Sequence, residues 1–171
     1  MGGRMPDSAA AQPRRETGPD IVAAVVIAAA VVAVAGIGGL STDTDTAWYT
    51  GLDKPAWQPP GWVFGPVWTV LYGLLAVSTF LAWRRVTGPR RPLVLGLYAA
   101  NYALNLGWTL LFFAAEAALV ASLEILALLA TIVALAVLVR PYSRAAAWAL
   151  VPYGLWVTYA ATLSWAIVFL N

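Results

Sequence analysis

The chain has no cysteine and no histidine among its 171 residues. Disulfides, cysteine nucleophiles, histidine general bases and ordinary zinc centres are thereby excluded. Methionine occurs only at positions 1 and 5, so tyrosine is the one common haem-iron ligand left to the apolar part of the chain. Charge is scarce too. Asp, Glu, Lys and Arg together make 11% of the residues, against roughly 25% in an ordinary soluble domain. With 61% hydrophobic residues, a soluble fold would expose apolar patches large enough to aggregate. The net charge of +2 comes without a basic stripe outside the turns, which argues against a nucleic-acid partner. A membrane protein is what remains.

What the chain does contain is a series of long apolar runs. Residues 21–40 carry no charge at all, and twenty residues of helix rise about 30 Å, the thickness of a bilayer core. A cleaved signal peptide ending at Ala33-Val34-Ala35 is the competing reading, but its apolar core would be only about 7–15 residues long. Further spans are predicted at 62–85, 93–114, 119–139 and 145–170. Residues 1–20 are polar, contain Pro and Gly, and read as a disordered tail. The expected fold is an all-α membrane protein, a bundle of five transmembrane helices over residues 21–171, with the lipid bilayer as its surroundings. The alternation that marks a membrane barrel is missing.

Arginine placement gives an orientation. Arg4, Arg14, Arg15, Arg84, Arg85, Arg90, Arg91, Arg140 and Arg144 fall on one side of the five spans, and Lys54 alone falls on the other. The N-terminus is therefore expected in the cytoplasm and the C-terminus outside. A bacterial cytoplasmic membrane is the expected location.

Nine tryptophans and seven tyrosines are the chain's other conspicuous feature. Many lie near span ends, where aromatic side chains anchor at the membrane interface. Others sit deeper, at helical spacing. Trp68 and Tyr72 share a face of the second span. Asn101, Asn105, Trp108 and Phe112 make a stripe on the third, and Tyr153, Trp156 and Ala160 one on the fifth. Asparagine is costly in lipid, so Asn101 and Asn105 are expected to face the bundle interior. There they serve either as interhelical hydrogen bonds or as polar anchors in an aromatic-walled pocket. No conventional acid–base pair, nucleophile or metal site accompanies them, and no cofactor is required.

The connection 41–61 leads into "KPAWQPPGWVFGPVW", residues 54–68, with four prolines and three tryptophans. Trp48-Tyr49, Leu52-Asp53-Lys54-Pro55-Ala56-Trp57-Gln58-Pro59-Pro60 and Phe64-Gly65-Pro66-Val67-Trp68 together resemble the signature of the TspO/MBR family, the tryptophan-rich sensory proteins related to the mitochondrial translocator protein. Asn105-Leu106-Gly107-Trp108 and Val151-Pro152-Tyr153-Gly154-Leu155-Trp156 extend the resemblance. It implies a five-helix membrane fold, commonly a homodimer, that binds a porphyrin or related hydrophobic small molecule. The expected ligand is a protoporphyrin-type tetrapyrrole, with residues 41–61 as a lid over the pocket. The ligand-binding positions so implied, together with the aromatic stripes, are Tyr49, Trp57, Trp68, Tyr72, Asn101, Asn105, Trp108, Tyr153, Trp156 and Ala160. Some members are associated with light- and oxygen-dependent porphyrin degradation, in which case Trp68 and Trp156 are the candidate catalytic residues. Transport of a porphyrin or sterol is a further alternative. The sterol motif of animal relatives is absent from the end of the last span, where no Lys or Arg follows Arg144.

Overall fold

A computed structural model describes residues 17–171. The polar tail expected at 1–20 lies largely outside the described residues, and its last part is helical. Helix α1 runs over Thr17–Ser41 and so begins before Ile21. Asp20 sits in its first turn, where a negative charge suits the helix dipole, and pairs with Arg84 (Nε–Oδ2 3.1 Å). That pair ties the start of the helix to its neighbour.

A short helix α2, Ala47–Gly51, follows. It lies within the connection 41–61, and Thr46 caps it, its Oγ1 accepting from the Tyr49 amide at 3.1 Å. A single 3-10 turn at Gly61–Val63 then opens into α3, Phe64–Arg85. Pro66 falls in the first turn of α3, where its missing N–H costs nothing. Helix α4, Arg91–Thr109, continues as a π-helical segment, Leu110–Ala114. Glu116, at a φ of 52°, lies in the connection that reverses the chain. Helix α5 spans Ala118–Val139 and α6 spans Arg144–Leu170. Ser143 caps α6 through a 3.2 Å bond from the Ala146 amide.

The five long helices close into a ring in the order α1, α3, α6, α5, α4 and back to α1. Among the described residues, four helical stretches are long and apolar enough to cross a membrane: Gly18–Ser41, Gly61–Arg85, Ala118–Val139 and Arg144–Leu170. The expectation of five such spans is thus met by four. Helix α4 falls short because it carries Asn101 and Asn105, both buried. Its apolar content is diluted by the polar face it turns inward.

One end of the bundle collects the arginine-bearing turns, and the other carries α2 and the proline-rich connection. Toward the arginine end, Leu75, Ala82, Val86, Val94, Leu135, Val139 and Ala146 are completely buried. Polar side chains there are paired. The Ser78 and Tyr98 hydroxyls share a 2.6 Å bond, Ser78 Oγ donates to the Ala146 carbonyl at 2.9 Å, and Thr79 meets Tyr102 at 3.1 Å. Without water to compensate, such groups must find partners inside the bundle.

Candidate functional site

The aromatic residues concentrate at the opposite end. Trp68 on α3 stacks on Tyr72 (centroids 5.3 Å apart) and meets Tyr153 of α6 edge-on at 6.3 Å. The i, i+4 spacing of Trp68 and Tyr72 brings them to one face. Across from them, Trp108 of α4 stacks on Phe112 at 5.2 Å. Between the two tryptophans is a cavity of ≈ 10 Å³ lined by Trp68, Asn105, Trp108, Ile125, Leu128, Val157 and Ala160. That is room for about one water molecule. The chamber is closed in this conformation.

Asn105 occupies both ends of its amide. Its Oδ1 accepts from Tyr72 Oη at 2.7 Å and its Nδ2 donates to Tyr153 Oη at 3.1 Å. Tyr153 Oη in turn donates to Asn101 Oδ1 at 3.1 Å, and Asn101 Nδ2 donates to Thr131 Oγ1 at 2.8 Å. The series links α3, α4, α6 and α5. Asn101 and Asn105 therefore face inward and act as interhelical hydrogen-bonding residues, with Asn105 also forming part of the cavity wall.

Among the described residues, four buried side-chain polar atoms lack a hydrogen-bond partner: Trp108 Nε1, Trp156 Nε1 and both carboxyl oxygens of Glu124. Buried polar groups are rarely left in this state, so each marks a place where the protein alone is incomplete. Trp108 Nε1 belongs to a cavity-wall residue. Glu124 lies on α5, its Oε1 against α4 at Gly107, where a Cβ would come within 3.7 Å of it. That is ordinary van der Waals contact, so the carboxyl group lies against the α4 backbone without crowding it.

The connection above the chamber is pinned at several points. Trp48 meets Phe112 edge-on at 5.5 Å, and Tyr49 packs on Phe113 at 5.6 Å. The Lys54 ammonium donates to the Tyr49 carbonyl at 2.6 Å and lies 4.5 Å above the Tyr49 ring. Gln58 Nε2 donates to Tyr49 Oη at 3.1 Å. Tyr159 Oη donates to the Trp57 carbonyl at 2.7 Å, while the Trp57 indole itself is 58% exposed. Asn171 closes on the backbone of Asp53, accepting from its amide at 2.9 Å and donating to its carbonyl at 3.1 Å.

The ten residues expected at the site separate into groups. Trp68, Asn105, Trp108 and Ala160 line the cavity; Tyr72, Asn101 and Tyr153 reach it through Asn105. Tyr49 and Trp57 belong to the connection above. Trp156 lies elsewhere, in an open groove of ≈ 530 Å³ on the outer surface between α3 and α6, with Val67, Leu71, Pro152, Leu155 and Tyr159. Trp68 and Trp156, the pair expected to act together in photochemistry, thus line different spaces. Sequence reasoning missed Ile125, Leu128 and Val157, apolar residues with no mark to separate them from their neighbours. It also missed the π segment and the contacts of Phe113. No group of three or more acidic side chains able to hold a metal ion occurs among the described residues.

A profile of the TspO/MBR family matches residues 24–170 of the chain. The human (Homo sapiens) translocator protein is 37% identical over 122 residues, covering 70% of this chain and 72% of its own length. The tryptophan-rich protein TspO of Archaeoglobus fulgidus is 33% identical over 144 residues, covering 83% and 92%. The protein of the same name from Chlorobaculum tepidum is 37% identical over 144 residues, covering 82% and 90%.

Proposed function

The chain belongs to the TspO/MBR family, and from that premise we propose that it is a binding or sensory protein for a flat, protoporphyrin-type tetrapyrrole. All five long helices cross the bilayer in this reading, α4 included, with the arginine end in the cytoplasm. The ligand enters the chamber between α3, α4, α5 and α6. Trp68 and Trp108 form its walls, and offset contact with two indole faces suits a large planar π-system.

The observation that carries the proposal is the pairing of two tryptophans across a cavity with an unpartnered Nε1 on one of them. A ligand acceptor atom would satisfy that N–H. At ≈ 10 Å³ the cavity is far below the roughly 300–1,000 Å³ of ordinary ligand pockets, so binding requires expansion. The connection over residues 42–60 and the π segment are the elements that would move. The two pack on each other in a small apolar cluster of their own, where Trp48, Tyr49 and Leu52 meet Leu111, Phe112 and Phe113, and so can shift together.

The test is a protoporphyrin titration of the full chain in detergent, read by tryptophan fluorescence. Saturable quenching that weakens in Trp68→Ala and in Trp108→Ala is expected. Equal affinity in both variants and in the parent protein would overturn the site.

A further inference from the structure

The opposite end of the bundle carries a second, chemically different surface. The turn between α3 and α4 brings Arg84, Arg85, Arg90 and Arg91 together, and the turn between α5 and α6 brings Arg140 and Arg144. The two turns lie at one end of the bundle, where α3 and α5 end and α4 and α6 begin, and Val86, Val94, Val139 and Ala146 beside them are fully buried. Ser78 of α3 also bonds the Ala146 carbonyl of α6.

Six arginines therefore meet one described carboxylate there, Asp20, which pairs with Arg84. Arg91 is also engaged, its guanidinium 4.3 Å above the Trp83 ring. Arg85, Arg90, Arg140 and Arg144 are exposed and have no carboxylate partner among the described residues. Every cation at this end is arginine; the chain's single lysine, Lys54, is at the other. A guanidinium offers a planar fork that matches phosphate oxygens two at a time, which an ammonium does not.

We propose that this end binds the headgroup of an anionic phospholipid, its phosphate held between the α3–α4 and α5–α6 turns. The position suits a lipid. The arginines cap helices whose outer faces are apolar, so acyl chains can lie along Leu93, Val133 and Val137, all exposed, while the headgroup meets the guanidinium groups. Trp83, an indole beneath Arg91, supplies the amphipathic surface that settles at headgroup depth. Juxtamembrane basic clusters recognise anionic lipids through the same charge attraction. The site is independent of the ligand reading of the tryptophan end.

The experiment follows the unfolding temperature of the full chain in a neutral detergent. Phosphatidylglycerol, phosphatidylcholine or inorganic phosphate is added at matched concentrations. A saturable rise with phosphatidylglycerol alone is expected. In the Arg85→Gln, Arg90→Gln, Arg140→Gln, Arg144→Gln combination, the half-saturating lipid concentration should rise about tenfold or more, since each arginine contributes to the attraction. Those charges also govern insertion, so the corresponding four Lys substitutions provide a variant of unchanged charge. It should be weakened a few-fold for want of the planar fork. Equal responses to the two lipids, or to inorganic phosphate and phosphatidylglycerol, would overturn the proposal. So would a Gln variant with native affinity, while a Lys variant with native affinity would overturn the role of the guanidinium fork.

Discussion

The two ends of the bundle solve the same problem, keeping polar groups dry, in opposite ways. Toward the arginine end the polar side chains satisfy one another: Ser78 pairs with Tyr98 and Thr79 with Tyr102, all four buried. Toward the tryptophan end, two indole N–H groups and a carboxyl group are buried without partners, and α4 loosens into a π segment. π-Helical turns occur frequently at functional sites. An interior filled by its own side chains leaves no room for a guest; an interior left unsatisfied gains from one. The contrast assigns rigidity to one end and adaptability to the other.

The hardest blow to that contrast would be an arginine end that tolerates truncation. Tyr98→Ala removes a ring that is 1% exposed and should cost about 3–5 kcal/mol of stability. The folded fraction should bind protoporphyrin with unchanged affinity. Unfolding in graded denaturing detergent, followed by titration of the surviving fold, measures both, and a tolerated truncation would break the distinction.

Next in size is the difference between two tryptophans. Trp68→Ala should weaken protoporphyrin binding about tenfold, near 1.4 kcal/mol, because Trp68 lines the chamber. Trp156→Ala should weaken it less, since Trp156 lines the outer groove. Parallel fluorescence titrations decide the order, and a larger loss at Trp156 would move the site to that groove.

Glu124→Gln probes the unsatisfied end directly. Exchanging a buried carboxyl group that meets no donor for an uncharged amide removes the cost of burying its charge and should raise stability by about 1 kcal/mol. A shift in thermal midpoint reports it; a loss of similar size would mean that Glu124 has a partner essential to the native fold.

The smallest effect is expected at the connection above the chamber. Asn171→Ala removes the two bonds to the Asp53 backbone and should speed exchange of the Asp53 amide several-fold, as expected for about 1 kcal/mol of lost bonding. Exchange at Ala82, deep in the other half, should not change. Equal acceleration at both would show that the two ends open as one.

Most of the framework was legible before any coordinates. Span length is a property of the sequence, and Arg84–Arg85, Arg90–Arg91, Arg140 and Arg144 mark the turns. Asn101 and Asn105 announced an inward face because lipid would not accept them. Three things were not legible. Helix α2 is too short for periodicity and depends on a Thr46 cap within a polar stretch. The π segment is a backbone arrangement that Leu110–Ala114 do not encode as a pattern. The side on which Trp156 falls was hidden because α6 is apolar around its whole circumference, so that spacing alone could not separate the chamber from the groove.

The hydrogen-bonded series from Tyr72 to Thr131 has a direction. Tyr72 gives to Asn105, Asn105 to Tyr153, Tyr153 to Asn101, and Asn101 to Thr131, whose hydroxyl ends on the Leu128 carbonyl. Each donor polarises the next, so the dipoles add. Such a file has two senses, and one link cannot reverse while its neighbours stay put. A guest that took the Tyr72 proton for itself would leave Asn105 an acceptor short of a donor. The cheapest repair is a turn of the whole row. Occupancy near Trp68 would then be felt at Thr131 on a different helix, through the hydrogen bonds themselves.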